Sequence, residues 1–289
     1  MFHIKQKRTA FDYFNIIFMM LFVLLILVPF WHILVISIST YKAYIESTYH
    51  LIPTEVTFDN YTRALSKGGE VLRSLAVSGL VTGIGLVISM LLTTIGGYAM
   101  SKNEMPGHAP IFIFFIITMF FSGGTVPFYI VMTKLGLRNN IWAMILPMAV
   151  STYNMILMKN FFLGIPESLE EAARIDGYND VQILFKIVLP ISTPVLAAVA
   201  LFYAVDYWNS YFNAYLLVTT ASLWPFQMFL RQLTIVNVTA ARAGVKGGPL
   251  IYESYKMAIV FVGIVPVLLV YPFVQKFFAT GVMLGAVKE

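Results

Sequence analysis

Hydrophobic residues run along this chain in long uncharged blocks, not in the short alternations or stripes of a water-exposed domain. The gaps between charged side chains give blocks at 13–41, 74–101, 105–133, 139–158, 187–205, 207–230 and 257–275. Each reaches the roughly 20 residues that a helix rising ~1.5 Å per residue needs to cross a ~30 Å hydrocarbon layer. The block 207–230 differs, because Asn209, Ser210, Asn213 and Gln227 are interleaved with its aromatics. That mixture suits the headgroup level better than the hydrocarbon centre. Six spans are therefore predicted, near 13–37, 73–100, 105–132, 139–158, 187–205 and 257–275, with 207–230 interfacial.

Composition agrees: of 289 residues 59% are hydrophobic and 11% charged, against roughly 25% charged in an ordinary soluble domain. The fold class expected is an all-α membrane protein. Residues 1–72 would hold an N-terminal inner segment, the first span and an outer loop. Residues 73–289 would form a five-span core, with an inner segment at 159–186 and an outer one at 206–256. Gly79 with Gly83, the pair Gly96 and Gly97, and prolines 29, 127, 147, 194, 266 and 272 read as helix packing and helix breaks inside a bundle.

The N-terminus "MFHIKQKRTAFDYF" has the basic flank of a signal peptide, but the apolar stretch behind it far exceeds the ~7–15 residues of a cleavable core, so it reads as a retained span. Counting Lys and Arg gives nine on the inner side and ten on the outer, which does not orient the chain. Long loops carry little weight in that rule, and the cluster Lys5, Lys7 and Arg8 beside the first span places the N-terminus inside. The formal charge of +5 suits anchoring at a membrane surface, and no basic stripe with stacking aromatics suggests nucleic acid.

With no cysteine, thiolate metal sites and cysteine nucleophiles are excluded. The four histidines, His3, His32, His50 and His108, lack metal-ligand spacing, so no metal site and no catalytic residues are expected. No G-x-x-x-x-G-K-[S/T] loop occurs, so the chain has no phosphate cradle of its own.

One segment breaks the pattern. In "FFLGIPESLEEAARIDGYNDVQILFKIVLP" charges crowd between Glu167 and Asp176. Pro166 presets a first turn, Ser168 with Glu171 has capping-box spacing, and Gly177 supplies a stop, which writes a helix of two to three turns. Leu169, Ala172 and Ala173 fall on one stripe, and Glu167, Glu170, Glu171 and Arg174 on the other, with Glu170 and Arg174 spaced for an i,i+4 pair. A second helix can start at Asn179 or Asp180, with Val181, Leu184, Phe185 and Val188 on one face, and run as a rigid rod into span five. The segment is either a solvated connector or a lever that a second protein grips through the small alanine face.

The pattern Glu171-Ala172-Ala173, three residues, Gly177, nine residues, Ile187, one residue, Leu189-Pro190 resembles the EAA loop of membrane subunits of bacterial ATP-binding cassette importers. "KLGLRNNIWAMILPMAVSTYNMILMKNFFLGIPESLEEAARIDG", "YAVDYWNSYFNA" and "GVMLGAVKE" look like the maltose-transporter-like second permease of carbohydrate uptake systems, closest to the subset linked to polysaccharide fragments. The resemblance covers roughly residues 70–289.

It implies the type I importer fold with six spans and both termini cytoplasmic, in the bacterial cytoplasmic membrane. It implies a second permease, two ATPase subunits that bind ATP and Mg, and an extracytoplasmic binding protein delivering a saccharide. The chain itself would bind no cofactor. Carried over, Glu171 is the charged contact with the ATPase, Ala172 and Ala173 the close-packed face and Gly177 the elbow, with Asp176 in the same ATPase-coupling set. Gly281, Gly285 and Lys288 match a tail that in relatives reaches between the ATPases.

Where span five emerges, Tyr207, Trp208 and Tyr211 could stack on sugar rings while Asn209 or Asn213 bonds hydroxyls. An aromatic belt at the headgroup level predicts the same residues without a ligand. A stand-alone carrier or channel would instead carry mid-span ionisable groups and inverted repeats, and an importer subunit for another solute is the remaining alternative. Arg231, Arg242 and Lys246 in the outer segment would suit an acidic oligosaccharide, or are solvated loop charges.

Overall fold

The computed structural model describes residues 9–66, 69–102, 104–242 and 253–285. Helices dominate them, and the bridge between Ser39 and Val56 is the isolated extended pairing. The chain divides into two compact units, Met1–Gly69 with Leu233–Val265, and Glu70–Gln232 with Pro266–Glu289.

In the first unit α1 (Ala10–Ser37) opens on a capping box made by Thr9 and Asp12. Nearly all of its side chains are exposed, and burial starts only at Val35, Ile36 and Ser37. A helix apolar on every side has the pattern of a membrane span. The loop that follows holds α2 (Tyr41–Glu46) and α3 (Asp59–Ala64). Their backbone is tied down by side chains: Asn60 Nδ2 donates to the carbonyls of Ser37 and Ser39 at 3.1 and 3.3 Å, and Tyr61 Oη and Ser37 Oγ share a hydrogen bond of 2.6 Å.

In the second unit α4 (Glu70–Ser101) is one unbroken helix of 32 residues. The predicted third span is not one helix: α5 (His108–Phe120) and α6 (Thr125–Lys134) meet at 119°. The break falls on Gly123 and Gly124, where Gly124 takes φ +82°, a conformation that a Cβ would strain. The predicted fourth span is likewise interrupted. It is built of α7 (Trp142–Ile145), a 3₁₀ turn at Leu146–Met148 that contains Pro147, and α8 (Thr152–Leu163), which Ser151 caps.

Next come α9 (Glu167–Ile175), α10 (Asp180–Ile183), a π-helical turn at Leu184–Val188, α11 (Leu189–Ile191) and α12 (Thr193–Asn209). The straight rod expected from Asp180 into span five does not form, because Asp180–Ile191 meets α12 at 87°. Pro190 and Pro194 flank that corner, and Pro194 sits in the first turn of α12, where its missing N–H is harmless. The chain continues through α13 (Phe212–Leu217), α14 (Phe226–Arg242) and α15 (Glu253–Gly285), the last containing Pro266 and Pro272. Among the described residues three helices, α1, α4 and Glu253–Val270 of α15, are long and apolar enough to cross a membrane, or five if each bent pair is one span.

The core of the second unit is α4 packed along α8 and α12. Gly97 admits α8: a Cβ there would stand 3.0 Å from that of Met158. Gly85 admits Tyr207, whose ring would lie 2.5 Å from such a Cβ. A Cβ at Gly79 or Gly83, both predicted to pack, would meet nothing within 4 Å among the described residues.

Two buried tyrosines of α12 fasten the interrupted fourth span. Tyr207 Oη donates to the carbonyl of Ile145 at 3.0 Å and pairs with Ser89 Oγ at 2.9 Å. Tyr203 Oη accepts from the Ser151 N–H at 2.9 Å and pairs with Thr93 Oγ1 at 2.6 Å. Backbone groups freed by a helix break in an apolar environment need such partners, and here side chains from a neighbouring helix supply them.

Candidate functional site

The two ends of α9 are closed by local backbone contacts. Its N-cap is Pro166, with no side-chain cap, so the expected box between Ser168 and Glu171 does not form. Its C-terminus closes in a Schellman motif: Gly177, at φ +85°, donates to the Arg174 carbonyl at 3.0 Å, and Tyr178 donates to that of Ala173 at 3.0 Å. Of the two caps the sequence offered, Asn179 is the one used, and it caps α10 reciprocally with Gln182. Arg174 pairs across the elbow with Asp180 at 3.2 Å, not with Glu170.

The helix face is rotated from the one predicted. Glu170 is only 7% exposed and Ala173 only 4%, whereas Leu169, Glu171, Ala172, Arg174 and Asp176 are exposed. Ala173 packs inside the chain's own core beside Met158, Phe162 and Ile183, so it cannot be the face that a second protein approaches. Glu170 points the same way and pairs with Lys102, at the end of α4, while Tyr98 Oη donates to its carboxylate at 3.3 Å. The predicted stripe of the following helix holds in part: Leu184 and Val188 are buried as expected, but Val181 and Phe185 are exposed and Ile183 is buried in their place.

What α9 and its elbow offer outward is therefore Glu171 and Ala172, flanked by Leu169 and by Ile175, which is 87% exposed. An isoleucine so bare at the tip of a charged helix is the feature that sequence reasoning missed. Its signal was an apolar residue stranded between Arg174 and Asp176.

The residues proposed for a solute path separate. Tyr207 is 1% exposed and committed to Ile145 and Ser89, which removes it from any surface that a solute could touch. Trp208 and Asn213 are half-buried, Asn209 and Tyr211 are exposed, and Asn209 Oδ1 accepts from Gln227 at 3.4 Å. Nearby, the Arg231 guanidinium lies 3.9 Å above the Tyr215 ring and 5.8 Å from that of Tyr211. Of the C-terminal residues, Gly281 and Gly285 fall in the last turns of α15, and Lys288 lies outside the described residues.

A short charged helix closed by a glycine elbow thus packs by one face, through Glu170 and Ala173, against the helices of the second unit. Residues 105–284 match the family model described as "Binding-protein-dependent transport system inner membrane component". The chain belongs to that family of permeases.

Its relatives include the polygalacturonan/rhamnogalacturonan transport system permease protein YtcP of Bacillus subtilis (strain 168), 42% identical over 98% of this permease and 100% of that protein. Protein LplC of the same strain is 36% identical over 99% and 97%. Among solved structures, a bacterial ABC transporter involved in the import of the acidic polysaccharide alginate contains a chain with a TM-score of 0.85 and 34% identity. That match covers 95% of this permease and 100% of that chain. The permease is thus a membrane subunit of an ATP-binding cassette importer. Its family works with a second permease, a solute-binding protein and ATPase subunits, and the nucleotide site belongs to those ATPases.

Proposed function

We propose that this permease and a second one form the translocation path for saccharides built of acidic units, in the cytoplasmic membrane of a bacterium. Both termini would be inside and the polypeptide would cross six times, the interrupted α7–α8 segment counting as one crossing. Two ATPase subunits, binding ATP and Mg, would grip α9, and an extracytoplasmic binding protein would load the outer side.

The observation that carries the coupling role is the outward face of α9. It offers the Glu171 carboxylate on a two-alanine step whose inner member is already packed, with bare Ile175 beyond it and the exposed Glu167 and Asp176 at the two ends of the helix. A desolvated charge contact ringed by apolar groups is the usual make-up of a binding hot spot. The C-terminal Gly281, Gly285 and Lys288 are assigned to the same ATPase interface.

The acidic class is supported by what the relatives are named for, since polygalacturonan and alginate are both polyuronates. It is supported independently by Arg231, a guanidinium laid on a tyrosine shelf. Such a shelf offers a carboxylate two parallel hydrogen bonds and gives a sugar ring a flat apolar surface. Trp208, Asn209, Tyr211 and Asn213 would flank that contact.

The test is reconstitution of the permease in nanodiscs with the second permease, ATPase and binding protein encoded beside it. ATP turnover should rise with oligogalacturonates and not with neutral maltooligosaccharides. Glu171→Ala should leave the chain's own stability within about 0.5 kcal/mol while weakening its hold on the ATPase by about 2–5 kcal/mol. Stimulation by neutral sugars alone would refute the acidic class, and ATP turnover and ATPase binding indifferent to Glu171 would refute the coupling face.

A further inference from the structure

Glu170 and Glu171 are neighbours on α9 with opposite fates. Glu171 faces out, while Glu170 turns into the protein and closes on Lys102, one residue beyond the end of α4. The carboxylate does not rest on that ion pair alone. Tyr98 Oη donates to it at 3.3 Å, the Lys102 ammonium lies 4.9 Å over the Tyr98 ring, and that ring meets Phe162 of α8 edge-on at 6.0 Å. Ser101 Oγ donates to the Tyr98 carbonyl at 2.7 Å and fixes the last turn from which Tyr98 projects. Two side chains, Lys102 and Tyr98, thus close on one buried carboxylate, and the Tyr98 ring is braced in turn against Phe162 of α8.

A buried ion pair is a poor way to gain stability, because an apolar contact of the same volume does as well or better. What it does supply is a single register, since each charge tolerates only the geometry that satisfies it. The rest of α9 touches the core through the small side chain of Ala173. The path from α9 to α12 runs through the glycine elbow, a π-helical turn and an 87° corner, which makes it a compliant route. The route to α4 is short, charged and part-buried, and α4 is unbroken over its whole length.

We propose that the Glu170–Lys102–Tyr98 cluster is the clamp that makes α9 and α4 move as one body, so that α4 is the main output of the coupling helix. Glu170 is a positioning residue in this sense: it touches neither solute nor nucleotide, and it acts by fixing α4 to the element that the ATPase moves. The proposal rests on the reading of α9 as that element.

The experiment uses the assembled transporter in nanodiscs, with cysteines removed from the partner subunits. An environment-sensitive fluorophore is attached at Glu70→Cys, an exposed position at the opposite end of α4 in a chain that has no cysteine of its own. ATP with orthovanadate serves as the probe, so no solute is needed. The otherwise unaltered chain should show a nucleotide-dependent fluorescence change. Glu170→Gln and Lys102→Met should each reduce it about fivefold or more while ATP hydrolysis continues, and the charge swap Glu170→Lys with Lys102→Glu should restore it.

A full-sized change in Glu170→Gln would overturn the proposal. So would failure of both single variants and the swap to assemble, because the cluster would then only hold the fold. Assembly and signal recovered in the swap alone would support the clamp. Glu171→Ala separates the two readings. If it leaves ATPase binding and turnover intact, the coupling face has failed. If it impairs both while Glu170→Gln leaves the α4 signal intact, only the clamp has failed.

Discussion

Removing a single oxygen from Tyr207 decides whether that residue is a fastener or part of a sugar path. Tyr207→Phe deletes the donor to the Ile145 carbonyl at 3.0 Å and the partner of Ser89 Oγ at 2.9 Å, and leaves the ring in the notch at Gly85. Hydrogen bonds between helices in membranes average about 0.6 kcal/mol and reach about 1.7. Leaving a buried acceptor unsatisfied costs about 1–3 kcal/mol in general. The Ile145 side is fully enclosed, so a loss of about 1–3 kcal/mol is expected. The assay is denaturant-induced unfolding of the purified chain in mixed micelles, with the exposed Tyr211→Phe as control, expected within about 0.5 kcal/mol. A double-mutant cycle with Ser89→Ala should show coupling between the two hydroxyls. If Tyr207→Phe is as stable as the control but transports poorly, the residue acts on solute and its assignment as a fastener is wrong.

Three further outcomes are expected. Gly85→Ala should destabilise the chain by about 1–3 kcal/mol, because the Tyr207 ring must shift, whereas Gly79→Ala and Gly83→Ala should cost little; equal effects in unfolding midpoints would contradict the packing described. Gly177→Ala should cost about 1–2 kcal/mol for a left-handed residue with a Cβ, with Gly177→Asn milder, read as ATPase turnover in the assembled transporter. Arg231→Gln should abolish stimulation by oligogalacturonate, and Arg231→Lys should recover little of it, because a lysine cannot reproduce the bidentate, stacked geometry; full recovery with lysine would reduce Arg231 to a general positive charge.

Much of the architecture was legible because it depends on local signals. Long apolar blocks gave the helices, Gly177 gave the elbow, and Asn179 gave the cap of α10. The breaks were harder to read. Pro127, Pro147 and Pro194 were visible, but a proline does not say whether a helix kinks or turns through a right angle, and that depends on whether a neighbour such as Tyr203 satisfies the freed backbone. The face of α9 was misread for a related reason. Its stripe was judged from hydrophobicity within the helix, and the partner that draws Glu170 inward, Lys102, lies 68 residues earlier. Tyr207 was misassigned because an aromatic near a span end looks alike in sequence whether it faces water, lipid or a glycine notch on the next helix.

The elbow beyond α9 has a consequence for how the transporter is put together. Because Gly177, Tyr178, Asn179 and Gln182 satisfy its backbone from within, the proposed coupling role would start from an element already finished before an ATPase subunit arrives. Ordering a loop on contact would subtract from the affinity of that encounter, and here little remains to be ordered. Assembly then resembles the seating of a rigid plug, and the speed with which the parts find one another is set by diffusion and charge, not by refolding at the joint.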